Sequence, residues 1–149
     1  MRAIIQRVSH AEVRVEGKPV GRIERGLLVY VGVGSDDTQE DAQYLAEKIG
    51  HLRIFSDAEG KMNLDVSQAG GAILVISNFT LLADARKGRR PEFTRAAEPD
   101  TANELYELLC EKLAGSGVMV RKGQFRAMMS VDSVNDGPIN LLLDSKRLF

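Results

Sequence analysis

The chain opens on an alternation of apolar and polar positions. Ile4 and Val8 mark a strand from Ala3 to Val8, and Val13 and Val15 repeat with a period of two. Val20 to Ile23 resumes the pattern after Gly17-Lys18-Pro19, so an antiparallel hairpin is predicted at this end. Leu27 to Val33 is different: a continuous apolar, β-branched run bounded by glycines, the pattern of a strand buried on both faces. Ser35, Asp36 and Asp37 offer helix N-caps. Ala42, Leu45, Ala46 and Ile49 then recur at helical spacing, predicting an amphipathic helix over Thr38 to Gly50.

The pattern shortens after that helix. Leu52 to Phe55 reads as a short strand and Ser56 to Gly60 as a turn. Gly70-Gly71 precedes an apolar strand, Ala72 to Ile76, that runs into Ser77-Asn78-Phe79-Thr80. A polar, basic loop is predicted from Asp84 to Pro99. Pro99 and Asp100 open a second helix through Leu105, Leu108, Leu109 and Leu113, ended by Gly115 and Gly117. Strands are predicted at Val118 to Arg121, Met128 to Val134 and Ile139 to Leu143. No repeat or linker interrupts the chain. The expectation is one mixed α/β domain over residues 1–149, with about seven or eight strands and two main helices.

Composition narrows the function classes. Apolar residues make up 44% of the 149 and charged residues 28%, a globular balance. The longest apolar stretch, Gly26 to Gly34, is too short to span a bilayer, and the first residues lack the pattern of a secretory signal. A cytoplasmic location is therefore expected. A single cysteine, Cys110, excludes an internal disulfide framework, and with only His10 and His51 beside it no Cys/His zinc site can form within one chain. Cys110 falls in the apolar register of the second helix and reads as a core side chain. Neither histidine has a neighbour in sequence that would make it a base. Asp57, Glu59 and Asp65 do not follow the spacing of a calcium loop. No metal or cofactor is expected.

Three features remain as candidates for chemistry. Asn135-Asp136-Gly137-Pro138 is either a turn between two strands or a rigid backbone element, with a cis peptide one option, whose carbonyls face a ligand. Ser77-Asn78-Phe79-Thr80 is either the polar exit of a core strand or a strand end that presents N–H groups to an oxyanion. Arg86-Lys87-Gly88-Arg89-Arg90 places four basic residues within five positions of a protein whose formal net charge is −1. That contrast fits either a solvated loop or a local phosphate-binding patch.

Read in order, the segments resemble one family. Met1-Arg2-Ala3-Ile4-Ile5-Gln6-Arg7-Val8, Arg53-Ile54-Phe55-Ser56-Asp57 and Lys61-Met62-Asn63-Leu64 resemble D-aminoacyl-tRNA deacylases, the D-Tyr-tRNA deacylase family. So do Ser77-Asn78-Phe79-Thr80-Leu81, Ala83-Asp84, Lys87-Gly88, Arg90-Pro91, and Gly123, Phe125, Ala127 and Met129 with Asn135-Asp136-Gly137-Pro138. Two positions depart from the pattern: Asn78 stands where the family usually has glutamine, and Ile139-Asn140 where it has valine and threonine.

The resemblance implies the compact α/β deacylase fold, assembled as a homodimer with active sites at the subunit interface. It implies hydrolysis of the ester between a D-amino acid and the terminal adenosine of tRNA. Glycyl esters, including glycine misloaded on the alanine tRNA, would also be cleaved. The RNA's own 2′-OH would help activate water, and Ser77, Phe79 and Thr80 would form the catalytic strand end. A cis Gly137-Pro138 unit would exclude L side chains, with Arg7 locking it and Asn78 and Met129 contributing to substrate binding. Arg86, Lys87, Arg89 and Arg90 would meet phosphates of the acceptor stem. The departures leave room for a relative that binds tRNA without turnover or has a shifted substrate range.

Overall fold

In the computed structural model, which describes residues 1–149, a six-stranded sheet carries two helices on one face. The strands are β1 (Arg2–Val15), β2 (Lys18–Ile23), β3 (Gly26–Gly32), β6 (Ala72–Ser77), β7 (Met119–Lys122) and β8 (Ser130–Asp144). A separate small hairpin joins β4 (Phe55–Ser56) to β5 (Met62–Leu64). The helices are α1 (Gln39–Gly50) and α2 (Pro99–Gly115).

β1 organises the sheet. Along one edge it pairs antiparallel with β3 through Arg2 to Val8, then with β2 through Ala11 to Val15. Along the other edge it pairs with β8 over nearly its whole length. β3–β6 and β6–β7 are parallel, as their crossover connections through α1 and α2 require. The sheet also curls. A Cβ added at Gly21 of β2 would lie 2.7 Å from the Lys122 carbonyl of β7, so β2 approaches the far edge closely only because it has glycine there.

Burial follows from this geometry. Ala3, Ile5, Val29, Ile73 and Val75 pack with Leu45, Ile49, Leu109 and Leu113 of the helices. Val8, Ala11, Val13, Leu28, Leu74 and Ile76 form a second cluster inside the curl. β3 and β6 are buried on both faces, as their apolar runs predict. Tyr106 of α2 donates its hydroxyl to the Val75 carbonyl at 2.9 Å and ties the helix to the middle of β6.

Several expected boundaries move. The two N-terminal strand segments are one strand of 14 residues. The segments on either side of Asn135-Asp136-Gly137-Pro138 are likewise one strand, β8, so this motif does not reverse the chain. The Leu52 to Phe55 strand shifts to Phe55–Ser56, because its pairing depends on β5, which has no strand pattern of its own. Helix α1 is capped by Thr38 and not by Ser35, Asp36 or Asp37. Asp41 accepts from the Thr38 N–H at 2.8 Å, closing a capping box. Asp37 instead accepts from the Gly34 N–H at 2.5 Å.

Candidate active site

β6 ends where its neighbour's ladder runs out. The Asn78 N–H donates to the Val31 carbonyl at 2.8 Å, the last parallel rung, and the chain turns into a 3-10 turn, Phe79–Leu82. Asn78 sits at the N-cap of that turn. Its Oδ1 accepts from the Thr80 N–H at 3.1 Å and from the Thr80 hydroxyl at 2.5 Å. Phe79 is the first residue inside the turn, and its N–H has no acceptor in the turn. Of the two adjacent N–H groups at this strand end, one is engaged by a side chain and one is free.

The strand end forms the lip of a cavity of about 840 Å3, a volume in the range of ligand sites. Tyr30 and Ile76 line it from the sheet, and burial raises the Tyr30 hydroxyl above its ordinary pKa. Phe79, 57% exposed, meets Phe93 edge to face with ring centroids 5.1 Å apart. Phe125 and Met129 approach from the segment before β8. Flat aromatic and thioether surfaces around an open cavity suit a planar ring system.

Arg126 also lines the cavity, on a turn closed by the Ala127 N–H to the Gln124 carbonyl at 3.2 Å. Arg126 holds the third position of that turn with φ 62°. Glycine or asparagine is the low-cost choice at such a position, and a left-handed conformation costs other residues about 1–2 kcal/mol.

Ser77, Asn78, Phe79, Thr80 and Met129 are thus brought together. Gly137, Pro138 and Arg7 are not among the residues lining this cavity. They meet elsewhere, at a break in the β1–β8 register. Asn140 pairs with Gln6 and Asn135 with Val8, so four residues, Asp136 to Ile139, stand opposite Arg7 alone. The extra residues bulge outward, and Gly137 and Pro138 are exposed. Their peptide bond is cis. Gly137 has φ 122°, and a Cβ there would lie 2.8 Å from the Ile139 nitrogen, so no other residue fits without a shift.

The base of the bulge is braced. The Asn135 side-chain amide donates to the Arg7 carbonyl at 2.9 Å and to the Ile139 carbonyl at 3.2 Å. The Arg7 guanidinium donates to the Ile54 carbonyl at 2.6 Å and forms an ion pair with Asp136 at 2.9 Å. Arg7 therefore acts on the dipeptide through the residue before it. Its hydrogen bond goes to the β4 segment and not to a Gly137 or Pro138 carbonyl.

The basic loop rises beside the cavity, anchored by paired backbone hydrogen bonds between Asp84 and Glu92 at 2.8 and 3.0 Å. Its cations differ. Arg86 is clasped by Asp84, and these hydrogen bonds hold the Asp84 carboxyl down at about 2. Lys87, Arg89 and Arg90 are exposed.

The other titratable candidates lie elsewhere. His51 packs its Nδ1 2.9 Å from the Glu47 carbonyl at the end of α1, and His10 stands 3.6 Å from Asp132. Cys110 is buried in α2, and burial pushes its thiol up to about 12. Asp57 accepts from the Glu59 and Lys61 N–H groups, and Asp65 accepts from that of Gln68, so both shape turns. The sequence patterns did not single out Tyr30, Phe93 or Arg126. Phe93 follows a basic loop and Tyr30 sits in a core run, and only the cavity unites them.

An α/β domain with a mixed sheet, two helices on one face and an aromatic cavity at a strand end defines a small-ligand site of backbone donors and stacking surfaces. The family model described as D-Tyr-tRNA(Tyr) deacylase matches residues 4–144, and the chain belongs to that family. Among its relatives are D-aminoacyl-tRNA deacylases of Anaeromyxobacter dehalogenans (strain 2CP-C), 59% identical, and of Thermotoga petrophila, 57% identical, each aligned over the whole of both chains. A solved structure titled c-Myc DNA Unwinding Element Binding Protein superposes with a TM-score of 0.91 at 34% identity, covering 97% of this chain and 98% of the other. A probable eukaryotic D-amino acid tRNA deacylase, 20% identical, shares the fold with a TM-score of 0.81 over 95% of this chain and 97% of its own. No helix is long and apolar enough to cross a membrane.

Proposed function

We propose that the chain hydrolyses the ester between a D-amino acid and the terminal adenosine of tRNA, with the nucleoside held in the aromatic cavity. The observation that carries this reading is the free Phe79 N–H on the lip of that cavity. Ester hydrolysis passes through a tetrahedral oxyanion, and an oriented N–H donor stabilises charge that develops only there. The Thr80 N–H becomes a second donor when the Asn78 amide yields it. The Ser77 hydroxyl completes the polar edge, and Phe79 and Met129 flank the adenine. Attack by water is assisted by the substrate's own 2′-OH, and the protein supplies placement.

Gly137 and Pro138 supply the stereochemical filter. Their carbonyls stand where an L side chain would have to go, whereas a D side chain points away and glycine offers nothing to reject. Discrimination of this kind needs no attractive contact with the amino acid. The dipeptide is exposed and lies outside its own chain's cavity, so the filter acts in the cavity of a second copy and the enzyme is a homodimer. The unpaired outer edge of β8 supports this, as do Val134 and Leu142, 49% and 60% exposed on the same strand. Asp136, Arg7 and Asn135 hold the filter at its base. Lys87, Arg89 and Arg90 meet acceptor-stem phosphates without reading sequence, so many tRNAs in the cytoplasm are substrates.

The test is an ester assay with D-Tyr-tRNA, L-Tyr-tRNA and Gly-tRNA. The D and glycyl esters are expected to be cleaved and the L ester spared. Binding without cleavage of any ester would reduce the protein to a tRNA-binding relative, and rapid loss of the L ester would remove the filter.

A further inference from the structure

We infer that Arg126 is a phosphate contact for the substrate's single-stranded end, receiving the phosphodiester that joins the terminal nucleoside to the preceding nucleotide. The inference rests on the cavity being the nucleoside site proposed above. Arg126 is the one cation lining that cavity, whose other walls are mostly apolar. A nucleoside bound there brings its phosphodiester to the rim, where a low-dielectric wall strengthens attraction to a nearby guanidinium.

Three observations set Arg126 apart from an ordinary surface arginine. The first is a free side chain at the cavity. Arg2, Arg7, Arg14, Arg22 and Arg86 are each paired with a carboxylate, and of the arginines left without an ion pair or side-chain hydrogen bond, Arg89, Arg90 and Arg121 among them, Arg126 alone lines the cavity. The second is its backbone. It occupies the turn position where glycine or asparagine costs least, with φ 62°, and strain tolerated beside a ligand cavity points to a side chain kept for use. Of the other non-glycine residues with positive φ, Glu16 lies in the β1–β2 hairpin loop and Arg147 stacks on Tyr44. Arg126 has no such local partner. The third is its place in the chain. It lies between Phe125 and the Ala127–Met129 segment, all lining the cavity, so its turn is fixed relative to the aromatic walls.

This contact is distinct from the basic loop. The loop meets the paired acceptor stem and sets overall affinity, whereas Arg126 fixes the last nucleotide and thereby the ester against the Phe79 N–H. Its loss should depend on whether the ligand carries the neighbouring phosphodiester.

The experiment uses two uncleavable 3′-amide analogues, D-tyrosyl-adenosine alone and the same group on a CCA trinucleotide. Their affinities are measured at low salt for wild type, R126A, R126G and R126K. R126A is expected to lose roughly five- to tenfold in affinity for the trinucleotide and nothing for the nucleoside. R126G, which relieves the backbone, should behave like R126A, and R126K should recover most of the loss. Equal losses on both analogues would make Arg126 a structural residue, and unchanged affinity for the trinucleotide would also overturn the inference. Failure of the cavity reading appears separately: wild type would then bind neither analogue, and the inference would fall with it.

Discussion

Two breaks in strand regularity have different surroundings in this molecule. At the end of β6 the chain leaves the ladder into a 3-10 turn and its exposed groups line the chain's own cavity. In the middle of β8 four residues stand opposite one, and the bulge leaves Gly137 and Pro138 exposed and outside the lining of that cavity. The first break has walls around it: Tyr30 and Ile76 on one side, Phe93 and Phe125 on others. The second is braced only at its base, by Asn135 and Arg7. A site complete within one chain would gather Ser77 to Thr80 and Gly137-Pro138 together. Here one lines a cavity and the other projects from the surface, the arrangement that the proposed two-fold assembly requires.

The largest expected effect separates the two breaks. Phe79→Pro removes the free N–H while keeping a residue that fits the first position of a helical turn. Asn78, at φ −145° and ψ 93°, already lies outside the helical region that proline disfavours for the residue before it. Phe79→Ala removes the ring and keeps the N–H. The proline variant should fall about 10²–10³ below the alanine variant in kcat on D-Tyr-tRNA, and equal rates would take the N–H out of the mechanism. Gly137→Ala should act on the other break. Its Cβ would press on the Ile139 nitrogen at 2.8 Å, and the variant should cleave the L ester that wild type is expected to spare. Mixing then tests the division. An excess of Phe79→Pro subunits, inactive but with intact dipeptides, should suppress L-ester cleavage by Gly137→Ala subunits as heterodimers form. If each filter serves its own chain, L-ester cleavage per Gly137→Ala subunit will stay constant.

A smaller effect is expected beside the cavity, in the basic loop. Arg89 and Arg90 are exposed, whereas Arg86 is held by Asp84. Removing both free arginines should flatten the slope of log affinity against log salt by roughly 2, one counterion per lost phosphate contact. Arg86→Ala should leave the slope nearly unchanged. The hydrogen bonds that hold the Asp84 carboxyl at about 2 keep it ionised, so the pair persists at neutral pH and is lost only as pH falls through about 2. Equal flattening by all three substitutions would return the loop to a diffuse charge cloud.

Much of this was legible in the sequence, and the failures share a cause. The buried strand Leu27 to Val33, both helices and the second apolar strand could be read because each carries its own period. β5 has no such pattern and exists through its pairing with β4. Asn135 to Pro138 has the composition of a turn, yet β1 runs alongside without a break and holds β8 in line, so the extra residues bulge where they would otherwise reverse the chain. The strand-end half of the site was marked by Ser77-Asn78-Phe79-Thr80. Tyr30, Phe93 and Arg126 were not, because a core strand, a loop and a turn carry no common spacing. The Asn78 departure matters geometrically. Its side chain reaches forward to the Thr80 N–H, the bond that a short Asn side chain favours at an N-cap.

The smallest effect should fall on stability alone and so bound the cavity from behind. Tyr106 holds β6 two residues before Ser77 through the Val75 carbonyl, which also accepts from the Gly123 N–H at 2.9 Å. Tyr106→Phe therefore leaves no orphaned acceptor, and about 1 kcal/mol or less should be lost, read as a lower denaturant midpoint. Its pH dependence carries more information. Burial raises the Tyr106 hydroxyl and raises the Cys110 thiol to about 12, so the folded state favours both neutral forms. Their contribution is complete below the unfolded thiol value of 9.0 and is lost as pH climbs from there toward about 12, because the unfolded chain sheds those protons first. Tyr106→Phe should make that alkaline decline shallower while leaving the preference for D over L esters untouched, since the proposed filter lies on β8. A changed preference would mean that the wall behind β6 tunes the filter, and the cavity and projection would then be one coupled device.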